Sequence, residues 1–481
     1  PPPPFQAEDG IRDATGGLVG SEMCIRDRAC LLLMAVAALS GLQTTLGQLR
    51  DQQAASAMER ENFVQQGAKN PHAAAHFGQY AFRPVLLPAA IDPGVSDYMG
   101  SMIWLEAHRM NLPEFRPAED AAGFGRAARL SVAWVLQFIV PLFVIVISFG
   151  VVAGERERGT LALALSQGIG LPALLLGKTV AATGALLAVL VPLTILSVVL
   201  FAFAAPLVDS HGAAARLAWM ALCYLLYLLS FAGLSLLVST IARTRRNAFF
   251  ALIAAWLLIT VAIPRVAADL SVSAHPTPTP TAFWAGIRRG DGAAAGSGDN
   301  PQARVAALRG ELEAELLAEY AVDSVAELPV NFTAVFLQRL EDADAPIFDY
   351  NFDRLWNIYE DQRRFQQGAA ILSPAIAVRA LSMAMAGADP FAQRHFSTAA
   401  ETYRRAFVGE LNEVQAIEGA GKRFYVASGD TWDRVDAFHY EPPDTREVLT
   451  RHHLDLFILL FWAGLPFGLA MLVARRARPV G

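Results

Sequence analysis

The chain reads as an all-α polytopic membrane protein with six transmembrane helices and two mainly helical extracytoplasmic insertions. Three observations lead there. Of the 481 residues, 54% are hydrophobic and only 17% are charged, where soluble domains carry about 25% charged residues. The mean hydropathy is +0.35. The apolar residues are also gathered into long charge-free runs, and about 20 such residues make a helix that crosses the ~30 Å hydrocarbon core. The same composition excludes a disordered chain, a collagen and a disulfide scaffold. Three cysteines, Cys24, Cys30 and Cys223, make neither a disulfide framework nor a metal cluster. The net charge of −6 says little, because a membrane protein's charges act locally on each side.

Residues 1–28 precede the first apolar run and show no apolar period. Their stretch EDGIRD…SEMCIRDR resembles the conceptual translation of sequencing-adapter DNA, so the segment is expected to be an artefact that stands outside the fold, with a disordered cytoplasmic tail as the alternative. Spans are expected over 29–49, 130–153, 179–205, 217–242, 247–264 and 455–474. Even the 18-residue fifth window gives about 27 Å at 1.5 Å per residue, enough to cross with little tilt.

Orientation follows from the Lys and Arg residues near the span ends. With the N-terminus inside, the inner side receives Arg156, Arg158 and Lys178, then Arg243, Arg245 and Arg246, then Arg475, Arg476 and Arg478. The short outer loop after the third span offers Arg216 at its edge, beside Asp209 and His211. The chain is therefore expected to be N-in and C-in. Two polar segments then lie outside, 50–129 and 265–453. In the second, apolar residues recur at Val305, Leu308, Leu312, Leu316 and Tyr320, a helical stripe. Further helices are expected over Phe348–Gln367, Pro374–Ala386 and Ala392–Gly419, and neither segment reads as a β-domain.

The most informative string is GERERGTLALALSQGIGLPALLLGK, residues 154–178, directly after the second span. Alternating charges leave the membrane, Gly159 breaks the chain, and Thr160 is placed to cap a short helix carrying Leu161, Leu163 and Leu165. Such a segment lies along the interface, apolar side in lipid or bundle and charged end in the cytosol. Lys178 marks the return into the membrane. Read on physics alone, a plain interfacial connector also fits.

This string, after a span ending PLFVIVISFGVVA, resembles the coupling region of ABC-2-type transporter permeases, in which E-x-E-x-G-T-L precedes a short amphipathic helix and G-K opens the next span. Glu155, Glu157, Gly159, Thr160 and Leu161 match the first part, with Arg158 between them, and Gly177 and Lys178 match the second. HFGQYAFRP (76–84), DPGVSDYMGSMIWLEAHRMN (92–111) and PAED (117–120) are similar to the first outer segment of a branch of these permeases that carries a domain of unknown function. LSPAIAVRALSMAMAGAD (372–389) and HFSTAAETYRRAFVGELN (395–412) are similar to its second. The resemblance implies the permease subunit of an ATP-driven exporter in a bacterial inner membrane. It would work as a homodimer or with a sister permease, in the lipid bilayer, docked to a separate cytoplasmic ATP-binding cassette subunit. ATP and magnesium would sit in that partner, with no cofactor, catalytic residue, metal or nucleic acid assigned to this chain. An alternative is a membrane-anchored assembly or maturation factor, for example for a metal site, acting through its periplasmic domains.

Other candidates are weaker. His72 and His76, four apart, share one helix face with metal-compatible spacing, but no third ligand stands nearby in sequence. Glu106 and His108 point to different faces. His452 and His453, at the mouth of the sixth span beside Asp455, read as interfacial anchors, and Trp219, Trp256 and Trp462 as ring anchors or bundle contacts. Asn331 opens a glycosylation sequon. No charged residue or histidine lies near a span centre, which argues against ion-coupled carriers and intramembrane hydrolases.

Overall fold

The structure, a computed structural model, describes residues 6–120, 130–204, 212–292, 301–422 and 424–476. It opens with α1 (Gln6–Val64), whose Leu32–Val64 part is the first of five stretches, among the described residues, long and apolar enough to cross a membrane. Residues 6–28, expected to stand outside the fold, form the first turns of this helix. Once a helix is nucleated, each added residue costs little. After it come α2 (Pro71–Phe77), β1 (Gln79–Phe82) and β2 (Met102–Leu105). The strands pair antiparallel, with Gln79 opposite Leu105 and Phe82 opposite Met102. This pair is a local exception within the mainly helical outer segment. Strands of four residues are too short for their alternation to stand out in a sequence.

Next come α3 (Val132–Glu157), α4 (Thr160–Ser166), α5 (Leu171–Ala204), α6 (Ala213–Ile241) and α7 (Arg245–Ala274). α3, α6 and α7 have membrane length and hydropathy. α4 and the Leu171–Leu187 part of α5 pass together but meet at 119°, so the count is five, or six with this bent pair taken as one span. Asp209 and His211 lie outside the described residues. The polar helices α8 (Pro280–Arg289), α9 (Pro301–Tyr320), α10 (Phe332–Ala369), α11 (Pro374–Met385), α12 (Pro390–Glu418) and α13 (Thr445–Arg451) follow, and α14 (His453–Arg476) is the last apolar helix.

α7 runs ten residues past Pro264, where the fifth span was expected to end. Proline normally breaks a helix because it has no N–H and its ring strikes the carbonyl four residues back. Here a π turn over Leu258–Ala262 widens the helix just before Pro264, and another over Val135–Ile139 does the same before Pro141. Neighbouring side chains bond to carbonyls of both turns. Tyr227 Oη donates to Gln137 O at 2.8 Å and Trp256 Nε1 to Phe138 O at 3.1 Å. Ser373 Oγ donates to Ile259 O at 2.5 Å, and Arg379 reaches Thr260 O at 3.4 Å. Irregular backbone at membrane depth is thus satisfied within the protein.

α6 is the centre of the bundle, packed against α14, α5, α11 and α3. Its Cys223, Tyr224, Tyr227 and Phe231 are buried. In the polar domain the α9 stripe meets α10: Leu312 and Leu316 are buried with Phe332 and Phe336, and Val305 and Leu308 flank them, while Tyr320 is exposed. α1 joins the two regions, since Phe63 packs edge-on against Phe407 and Trp432. Asn331 is the N-cap of α10, its side chain accepting from Ala334 N at 3.2 Å. Lower down, α1 crosses the Leu87–Ala90 turn at Gly41, where a Cβ would stand 2.1 Å from Ala90 O. Gly41→Ala should therefore cost about 1–3 kcal/mol by overpacking, read as a lower thermal midpoint in detergent. An unchanged midpoint would show that the crossing relaxes freely.

Candidate functional site

The segment singled out in the sequence gathers one end of the bundle. Glu155 meets Lys178 at 2.7 Å, both half-buried, which ties the end of α3 to the second turn of α5. Lys178 is thus inside a helix that begins at Leu171, not at its entry. Arg156 donates to Thr240 O at 2.8 Å and to Ala242 O, filling carbonyls at the end of α6. Glu157 Oε1 accepts the N–H of Arg245 at 2.8 Å, an anion on the first turn of α7. Thr244 Oγ1 adds the cap on Asn247 N at 3.2 Å. Ser239 Oγ accepts from both Val152 N and Ala153 N at 3.0 Å. The Arg245 side chain runs over the Phe149 ring and along Gly150, where a Cβ would sit 3.0 Å from its Nε.

The cap on α4 differs from expectation. Gly159, at φ 74°, is the N-cap, and no side chain bonds there. Thr160 instead donates back to Glu155 O at 3.2 Å. The left-handed backbone that turns α3 into α4 favours glycine. Leu161 alone of the leucines enters the bundle, beside Val152, Leu175, Leu236, Ala470 and Ala474. Leu163 and Leu165, expected on the side toward lipid or bundle, are 60% and 37% exposed on the protein surface. Ile169 and Leu176 are exposed as well, and at Gly177 a Cβ would meet open space. Arg158 is exposed. The result is a charged clamp on four helices with an apolar patch beside it, which suits contact with another body.

Sequence reasoning missed Arg156, Ser239, Thr244 and Arg245. The alternation of charge in GERER signalled only that the segment leaves the membrane, because the partners of Arg156 and Glu157 lie 84 to 88 residues away and that of Glu155 lies 23 away, across a bend.

A second polar cluster joins the bundle to the polar domain. His452, expected at the interface, is 2% exposed. Its Nδ1 lies 3.0 Å from Asp455 Oδ2 and its Nε2 3.6 Å from Asp389 Oδ2. Asp389 also caps α12 through Ala392 N at 3.0 Å, and Gln367 donates to Asp455 at 3.0 Å. Burial pulls His452 down, but the two carboxylates outweigh it and leave its pKa above the ordinary imidazole value of 6.5. A raised folded-state pKa gives stability that is full below 6.5 and is lost as pH rises through the folded value. The thermal midpoint should therefore fall as pH is raised above neutrality, and His452→Gln should flatten that dependence. A variant with the wild-type slope would remove His452 from the account. His453 is exposed, its Nδ1 2.7 Å from Thr450 O. Arg216, expected at a loop edge, is buried and donates to Met385 O at 3.2 Å and to Pro443 O. Trp256 and Trp462 are bundle contacts, Trp462 Nε1 donating to Ile371 O at 3.0 Å. Glu106 and His108 do diverge: Glu106 accepts from Asn111 at 3.2 Å, while His108 turns toward His72 and His76.

Residues 281–441, spanning α8 to the stretch before α13, match a family described as Domain of unknown function (DUF3526). The match takes in 372–389 and 395–412, the strings likened above to the second outer segment of the permease branch. No curated protein and no solved structure matches the chain.

Proposed function

We propose that this protein is the permease subunit of an ABC-2-type ATP-driven exporter in a bacterial inner membrane. It docks a separate ATP-binding subunit through Glu155–Lys178 and works as a homodimer or beside a sister permease. The observation that carries the reading is α4. A seven-residue helix with exposed leucines is clamped by Glu155, Arg156 and Glu157 to α5, α6 and α7, so force applied to it is delivered to three helices at once. The resemblance of E-x-E-x-G-T-L and G-K to the family's coupling region supports the same assignment.

The full-length protein, drawn from its own membranes in mild detergent, should bring with it an ATP-binding subunit and ATPase activity. Isolation of the intact protein without either overturns the proposal. Sidedness has its own check. In a cysteine-free background, Ser166→Cys should resist a membrane-impermeant thiol reagent in intact cells and Ser428→Cys should react. The reverse pattern would invert the topology.

A further inference from the structure

We propose that His72, His76 and His108 form a binding site for one divalent transition-metal ion, of which zinc is the type case. One ring nitrogen from each lies within 4.8 Å of the others. His72 and His76 stand one turn apart on α2, and a positive-φ turn delivers His108 from beyond β2. The ring centroids are 4.7, 4.9 and 5.3 Å apart.

The nitrogens are prepared for ligation. His72 Nε2 and His108 Nε2 face each other at 3.1 Å. Two nitrogens bound to a tetrahedral zinc at 2.0–2.1 Å stand about 3.3 Å apart, so the pair needs only a small shift. His72 Nδ1 lies 3.2 Å from Asn412 Oδ1, and His108 Nδ1 lies 2.9 Å from Glu341 Oε1, the oxygen that also accepts the His108 backbone N–H. With the His72 proton on Nδ1, its Nε2 lone pair is turned to the His108 ring, where a cation between the two Nε2 atoms would take it up. This is the outer-shell pattern that fixes the tautomer of metal-binding histidines.

The holders are themselves held. Asn412 donates to Gln338 at 3.0 Å, the backbone N–H of His72 donates to Gln415 at 3.2 Å, and Glu341 accepts from Arg404 at 3.1 Å. All five lie within the matched region 281–441, while the three histidines come from the first polar segment. His108 has φ 62°, a left-handed conformation that is uncommon for non-glycine residues.

Three imidazoles suit zinc, copper or nickel, whereas magnesium and calcium take oxygen ligands. His76 is exposed, so the fourth position opens to solvent. Three protein ligands and an open position mark an ion that exchanges or acts, in contrast to the closed four-ligand structural sites.

The test uses the full-length protein without a polyhistidine tag, stripped by chelator and titrated with Zn2+. One ion per chain is expected. His76→Ala removes an exposed ring and keeps the fold, and it should weaken binding at least as much as Glu341→Gln, for which about 10–100-fold is expected. Co2+ in the wild-type protein should give the visible absorption of a tetrahedral site, lost in His108→Ala. A folded wild-type protein that binds no stoichiometric Zn2+ overturns the proposal, as does equal binding by His76→Ala and His108→Ala. Neither result bears on docking at the α4 end of the bundle.

Discussion

Arg404→Met should cost about 3–5 kcal/mol of stability, the range for breaking a buried ion pair and leaving its partner charge behind. Arg404 is 2% exposed. It donates to both oxygens of Glu401 at 2.8 and 2.9 Å, to Glu341 at 3.1 Å and to Glu106 O at 3.1 Å. Without it, two buried carboxylates face each other across an uncharged thioether. Burial alone pushes Glu341 up, but His108 and Arg404 outweigh it and hold the carboxyl at about 2. A depressed carboxylate contributes stability that is present above its ordinary pKa of 4.5 and lost as pH falls toward the folded value. The variant should therefore regain part of its deficit on acidification, because protonated carboxyls no longer repel. Arg394→Ala, which breaks the exposed pair with Asp353, should change stability by no more than about 1 kcal/mol. Equal thermal midpoints for Arg404→Met and the wild-type protein would show that the cluster contributes little.

Glu155→Lys should uncouple ATP hydrolysis from transport. The substitution sets two ammonium groups against each other where Glu155 and Lys178 now meet at 2.7 Å, and it costs on the order of 2 kcal/mol at this half-buried pair. The lost contact is the one that ties the end of α3, just before α4, to α5. Glu155→Lys with Lys178→Glu restores opposite charges and should recover both stability and substrate-stimulated ATPase activity in vesicles. Failure of the exchanged pair to recover would mean that each residue acts separately. Charge reversal at Glu157 is a poorer probe of docking, because that carboxylate accepts the Arg245 N–H and its loss disturbs α7 directly.

The apolar helices were legible because crossing a bilayer needs a long charge-free window, and charge is written in the sequence. α11 and α12 were legible to within two residues for the same kind of reason: Pro374 and Pro390 open them, and proline at a first turn is a local signal. What escaped was tertiary. α7 passes through Pro264 only because a π turn forms there and Ser373 and Arg379 reach its carbonyls from over 100 residues away. His452 read as a surface anchor because Asp389, which buries with it, is 63 positions earlier. The third histidine beside His72 and His76 is 36 residues on, beyond β2. At the α4 end, the contacts of the charged string were not legible. Arg156 and Glu157 pair with backbone groups of distant helices, and Glu155 with a lysine beyond the α4 bend.

The central claim is that the exposed face of α4 is where an ATP-binding subunit docks. Leu163→Asp with Leu165→Asp tests it most directly, since both side chains are exposed on the protein surface and their replacement leaves the packed Leu161 in place. The account predicts that the double variant inserts, melts at the wild-type temperature and fails to co-isolate the ATP-binding subunit. A double variant that retains the subunit at wild-type yield, with unchanged ATPase activity, would contradict it.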